Sequence, residues 1–136
     1  FDLLKSHMEE LLSAWAEVAP QAEPRAALET FVRFHLRFNL TRADAVFLSY
    51  MELRNLGPGN FAVIEGLRRA YETELEKILI AGRAAGAFAL PDTKLATLAI
   101  IAMLTGVNTG YREGGRLSLD TVEAIYWDMV RKAVGA

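Results

Sequence analysis

Leu95-Ala-Thr-Leu-Ala-Ile-Ile-Ala-Met-Leu-Thr-Gly-Val107, running on into Tyr111-Arg-Glu-Gly-Gly-Arg-Leu-Ser118, is the stretch on which the reading of this chain turns. The first part is an apolar helix opened by Asp92. The second is a glycine-containing break, after which Ser118 caps a further helix that carries the chain to Val134. The stripe of that last helix is Val122, Ile125, Tyr126, Met129, Val130 and Ala133, at three- and four-residue spacing. Two adjacent helices with this much apolar surface exceed what one core of 136 residues requires. Part of it therefore points toward a partner.

Working outward, the rest of the chain also reads as helix. Leu4, Met8, Leu11, Leu12, Trp15 and Val18 repeat at helical spacing, and Pro20 stops them. Pro24 suits the first turn of a second helix reaching about Leu40. Its apolar residues nearly encircle it, leaving a polar stripe of Glu29, Arg33 and Arg37. Thr41 with Asp44 reads as a capping box opening a short third helix, which ends at Gly57-Pro58-Gly59. The fourth helix, about Phe61 to Ala85, sets Ile64, Leu67, Tyr71, Leu75, Ile78 and Leu79 on one face. Glu65, Arg69, Glu72 and Glu76 form a solvated opposite face, and Gly86 ends the helix. No segment alternates like a strand between hairpin turns. The expected fold is all-α, a single domain of about six helices over residues 1–136.

Composition narrows the function. The chain is 52% hydrophobic with a mean hydropathy of +0.17, so the surplus must enter a large core, a cavity or an interface. A net charge of −2 gives no basic field for nucleic acid or membrane. There is no cysteine, and His7 and His35 are the only histidines, so cysteine and histidine-rich metal sites are excluded. The longest apolar run is shorter than the ~20 residues that span a bilayer, and no signal peptide is visible. No nucleophile elbow, zinc-binding helix motif, di-iron pair or phosphate loop occurs. The expectation is a cytoplasmic non-enzyme with no catalytic residue, no cofactor and no metal.

What remains is binding. Trp15, Phe31, Phe34, Phe38, Phe47, Tyr50, Met51, Phe61 and Tyr71 all fall in the first four helices. Aromatic helices crossing at angles either close into a core or leave an apolar pocket. His35, between Phe34 and Leu36, is either a satisfied core histidine or a hydrogen-bonding partner for a ligand. Arg54 stands near the break after the third helix, where it could meet an anionic group or a structural ion-pair partner. Ala99, Ala102, Gly106 and Gly110 line one side of the fifth helix, and each internal glycine costs roughly 1 kcal/mol against alanine. Close approach of another helix compensates that cost. The expected homodimer seam is a four-helix bundle, two helices from each copy, using Leu98, Ala102, Gly106, Gly110, Val122, Ile125, Tyr126, Met129 and Val130.

Met51-Glu-Leu-Arg-Asn-Leu56, Tyr71-Glu-Thr-Glu-Leu75 running on to Ala85-Gly-Ala-Phe88, Tyr111-Arg-Glu-Gly-Gly-Arg-Leu-Ser118 and Val122-Glu-Ala-Ile-Tyr126 occur in this order. The sequence resembles the C-terminal regulatory domain of TetR-family transcriptional repressors, with a leaning toward the branch that senses acyl-CoA and controls lipid breakdown. That resemblance implies a small hydrophobic effector, acyl-CoA or lipid-like. It would be walled by Trp15, Phe34, His35, Phe38, Phe47, Met51, Tyr71 and Met103, with Arg54 near a charged end. It also implies a parent that binds DNA through an N-terminal helix-turn-helix domain lying outside these residues. The alternative is a free-standing helical module for lipids or a protein partner, with no DNA-linked role.

Overall fold

The computed structural model describes the backbone of residues 1–136 and every side chain except those at 49, 50, 109 and 110. The fold is all-α. Its elements are α1 (Asp2–Ala16), α2 (Pro24–Thr41), α3 (Ala43–Leu53), α4 (Pro58–Ala84), α5 (Thr93–Thr105), the single turn α6 (Val107–Gly110) and α7 (Leu119–Ala133).

The helix ends follow local chemistry. Glu23 accepts from the amides of Arg25 and Ala26, and Pro24 sits at the first turn of α2. Asp92 accepts from the Leu95 amide at 2.7 Å, and the Ser118 hydroxyl accepts from the Thr121 amide at 3.2 Å. Pro58 rather than Phe61 begins α4, because proline lacks an amide that the first turn could not satisfy anyway. The capping box expected at Thr41 is absent. Thr41 belongs to α2, where its hydroxyl donates back to the carbonyls of Arg37 and Phe38. The apolar helix expected to run from Leu95 to Tyr111 is broken at Gly106 into α5 and α6.

Gly86, Gly114 and Gly135 take left-handed backbone, and two of them close helices. Gly86, at φ +76°, closes α4: its amide meets the Arg83 carbonyl, and the Ala87 amide meets that of Gly82 at 2.8 Å. Gly135, at φ +71°, closes α7 in the same way through Lys132 and Arg131. The turn after α4 folds Phe88 onto Gly82 so closely that an added Cβ there would lie 2.0 Å from the ring.

In the packed arrangement α1 lies on α3 and α4, α2 crosses α4, and α5 leans on α4 and α2. α7 packs on α2. The fully buried residues Leu28, Phe31, Val32 and Leu36 of α2 meet Ile64, Leu75 and Leu79 of α4 at the centre. α2 is therefore the axis of the domain, consistent with its nearly continuous apolar surface.

Candidate functional site

A cavity of about 330 Å³ lies between α1, α2, α4 and α5, with α3 at its side. That volume is at the lower end of the ~300–1,000 Å³ usual for small-molecule sites. Each long helix contributes one stripe at helical spacing. Leu4, His7, Met8 and Leu11 come from α1, and His35 and Asn39 from α2. Ile64, Arg68, Tyr71 and Glu72 come from α4, and Leu98, Ile101, Ala102 and Thr105 from α5. Val46 and Leu53 of α3 complete the wall. Glu72, placed on a solvated face by its sequence pattern, is half-buried here. Glu76 of that same face accepts a hydrogen bond from the buried Thr93 hydroxyl at 2.8 Å.

A polar relay crosses the cavity wall. His35 Nδ1 is 2.6 Å from the Tyr71 hydroxyl, and His35 Nε2 is 2.9 Å from the Thr105 hydroxyl. Three helices are joined through one imidazole. Phe31 supports it from below, with its ring centroid 5.9 Å from His35 and 5.3 Å from Tyr71. Burial, reinforced by the nearby His7, drives the His35 pKa down to about 3, so the ring is neutral at physiological pH. Burial also raises the Tyr71 phenol well above its ordinary value. The same cause lowers His7, with Arg42 adding to the effect and Glu10 opposing it.

Of the residues that sequence reasoning assigned to a ligand, the structure brings His35 and Tyr71 together in the cavity wall. Trp15 of α1 packs against Phe34 of α2 and Phe34 against the buried Phe38, with ring centroids 5.3 Å and 5.8 Å apart, and none of the three lines the cavity. Phe38 also touches the cavity residue His7, at 5.6 Å, and carries the Arg42 guanidinium 4.0 Å above its ring. Met103 is half-buried against the core. Phe47 and Met51 on α3 stand exposed, as does Arg54 at its C-cap, and none of the three lines the cavity. Tyr50 lies among the residues whose side chains are not described. Sequence reasoning did not assign His7, Asn39, Ile64 or Arg68 to this site. The signal that finds Asn39, Arg68 and Ile64 is helical register, at i+4 from His35 and at i−3 and i−7 from Tyr71; His7, on α1, has no such signal.

Beside the cavity, α2 and α7 are tied by buried charge. The carboxylate of Glu123, 1% exposed, is 3.1 Å from Arg33 Nη1 and 2.7 Å from Arg37 Nε. Arg33 also holds Glu29 at 2.9 Å, one turn back on α2. On the outer surface, Leu95 and Leu98 of α5 and Ile125 and Met129 of α7 are exposed, Leu95 to 68%. Ala102 is exposed too, while Gly106 and Tyr126 are half-buried. Val122 and Val130 are buried within the protomer's own core, and Gly110 lies among the residues described by their backbone alone. Among the described residues no three His, Asp or Glu side chains gather as a metal site would require. Nor is any helix there long and apolar enough to cross a membrane.

The arrangement is an all-α domain built around one cavity, and comparison with known proteins shows its family. The sequence model of the tetracyclin repressor-like C-terminal domain matches residues 21–134. The chain belongs to this family, whose members are non-enzymatic transcriptional regulators that act as dimers, bind DNA and respond to small-molecule effectors. Solved structures share the fold. A TetR-family regulatory protein from Rhodococcus superposes with a TM-score of 0.83 at 23% identity, over 98% of this chain and 70% of its own. The TetR-family transcriptional regulator PfmR from Thermus thermophilus gives 0.84 at 24% identity, over 98% and 73%. A TetR/AcrR-family regulator from Thermobifida fusca gives 0.78 at 22%, over 94% and 68%. No curated protein sequence matches the chain.

Proposed function

We propose that this chain is the effector-sensing and homodimerising domain of a cytoplasmic TetR-family transcriptional repressor, and that its effector is a small hydrophobic molecule. The observation that carries this reading is the cavity around the His35–Tyr71–Thr105 relay, built from five helices of a chain that belongs to this family. DNA would be read by a helix-turn-helix domain outside residues 1–136. A volume of about 330 Å³ admits an acyl chain or a compact ring system, and the nucleotide part of an acyl-CoA would have to remain outside.

The coupling has a physical route. α5 lends one side to the cavity and presents the adjoining side, with Leu95 and Ala99, outward. A ligand that fits one setting of α5 better than another shifts the population toward it, by no more than that difference in affinity. The same helix, joined by α7, would form the seam between two copies. Leu95→Glu together with Met129→Glu tests the seam, because both residues are exposed and neither lines the cavity. Sedimentation equilibrium is expected to show the wild-type chain as a dimer. The double variant should be a helical monomer whose dimer Kd is raised at least about a hundredfold. An unchanged dimer in the variant would move the interface elsewhere.

A further inference from the structure

The polar groups of the cavity point to the chemistry of its occupant. Asn39 is 3% exposed and lines the cavity, and its amide Nδ2 is buried with no hydrogen-bond partner among the described residues. Buried amides are normally satisfied, so an orphan in a cavity wall is a donor that a ligand acceptor would satisfy. His7 Nδ1, contributed by α1, is a second buried polar atom without a partner among the described residues, a donor or an acceptor according to its tautomer.

Counting protons in the relay adds a donor. A neutral imidazole supplies one N–H, and the hydroxyls of Tyr71 and Thr105 supply two O–H groups. The two hydrogen bonds of the relay use two of these three protons. If His35 donates to Tyr71, the Tyr71 proton is left over; if it donates to Thr105, the Thr105 proton is. Either tautomer leaves one hydroxyl donor with no acceptor in the relay.

Charge is balanced or missing where the ligand would lie. Neither histidine is cationic at neutral pH, for the reasons of burial given above. The charged wall residues are Arg68 and Glu72, opposite in sign and one turn apart on α4. Arg68 is also paired with Glu65 at 3.2 Å. A carboxylate at the Asn39 end would find no free cation among the described residues, and burying an unpaired charge is far costlier than burying a carbonyl.

We propose that the cavity takes an uncharged, largely apolar molecule bearing a carbonyl-type acceptor oxygen, received by the Asn39 amide and the spare hydroxyl of Tyr71 or Thr105. This rests on the reading of the cavity as an effector site. The test compares methyl heptyl ketone, nonane and nonanoate, three probes of equal carbon number, by their protein-dependent uptake at equilibrium at pH 7.5. The ketone is expected to bind more tightly than either of the others by up to about tenfold, the usual effect of one good hydrogen bond. Asn39→Leu, which keeps the volume, should remove that preference and leave nonane uptake unchanged. Of Tyr71→Phe and Thr105→Val, the one that removes the spare hydroxyl should weaken it in the same direction, and the two together serve if the first variant does not fold. Equal binding of the three, or nonanoate binding tightest, would overturn the assigned chemistry and leave the effector site standing. Failure of all three to bind would overturn both.

Discussion

Replacing Arg33 and Arg37 together by Ala is expected to destabilise the domain by about 3–5 kcal/mol, the usual cost of leaving a buried charge without its partner. The stranded group is Glu123, which is 1% exposed and meets no other cation among the described residues. The reverse change should cost much less. With Glu123→Gln, Arg37 is 56% exposed and can rehydrate, while Arg33 keeps Glu29. Its expected cost is about 1–2 kcal/mol. Adding Glu123→Leu to the arginine double variant should recover most of the loss, because it removes the orphaned charge itself. Urea unfolding of the three variants measures this order directly. An arginine double variant no less stable than Glu123→Gln would show that the carboxylate reaches water. The arrangement matters for signalling because α2, which carries His35 and Asn39, is fastened to α7 through this carboxylate.

Acid is expected to weaken the fold well before the carboxylates titrate. The folded-state pKa of His35 is about 3 against an ordinary 6.5, so the unfolded chain binds a proton that the folded chain refuses. The native state therefore has its full stability above pH ~6.5 and loses it progressively as the pH falls toward 3. The loss from His35 alone is roughly 2 kcal/mol by pH 5 and on the order of 4 kcal/mol by pH 3. His7, also lowered, acts in the same direction. Chemical denaturation at a series of pH values between 7.5 and 5 is the measurement. His35→Gln should flatten most of the slope in that range, and an unaltered slope would mean that the buried imidazole is not its source.

The helical plan was legible because its punctuation is local. Pro24, Asp92 and Ser118 act through groups within three residues of themselves, and the structure places each at a helix start. Thr41 was misleading for a related reason: a hydroxyl that can cap the next helix can equally bond back to Arg37 in its own. Gly106 reads in the sequence as a glycine inside one helix, its cost offset by close approach of another, whereas the backbone ends α5 there and begins the turn α6 at Val107. The cavity was legible only in part. His35 and Tyr71 stand out chemically, and α2 and α4 bring them to 2.6 Å. Aromatic and sulphur chemistry also singled out Phe47 and Met51, yet which face α3 turns inward depends on its packing against α1, which no local pattern encodes. Asn39 carried no such flag. Its significance comes from being buried without a partner among the described residues, a property of the assembled helices and not of the residue.

The most direct test of the sensor reading is native mass spectrometry of the purified chain, alone and with medium-chain ketones, acyl-CoA esters and fatty acids. A dimer at twice 15.0 kDa is expected, taking up one small molecule per protomer. Uptake should be lost in Ile101→Trp, which fills the cavity from a half-buried position of α5. A monomer that binds nothing across the panel, or a dimer whose uptake survives Ile101→Trp, would contradict the assignment of this cavity as the effector site.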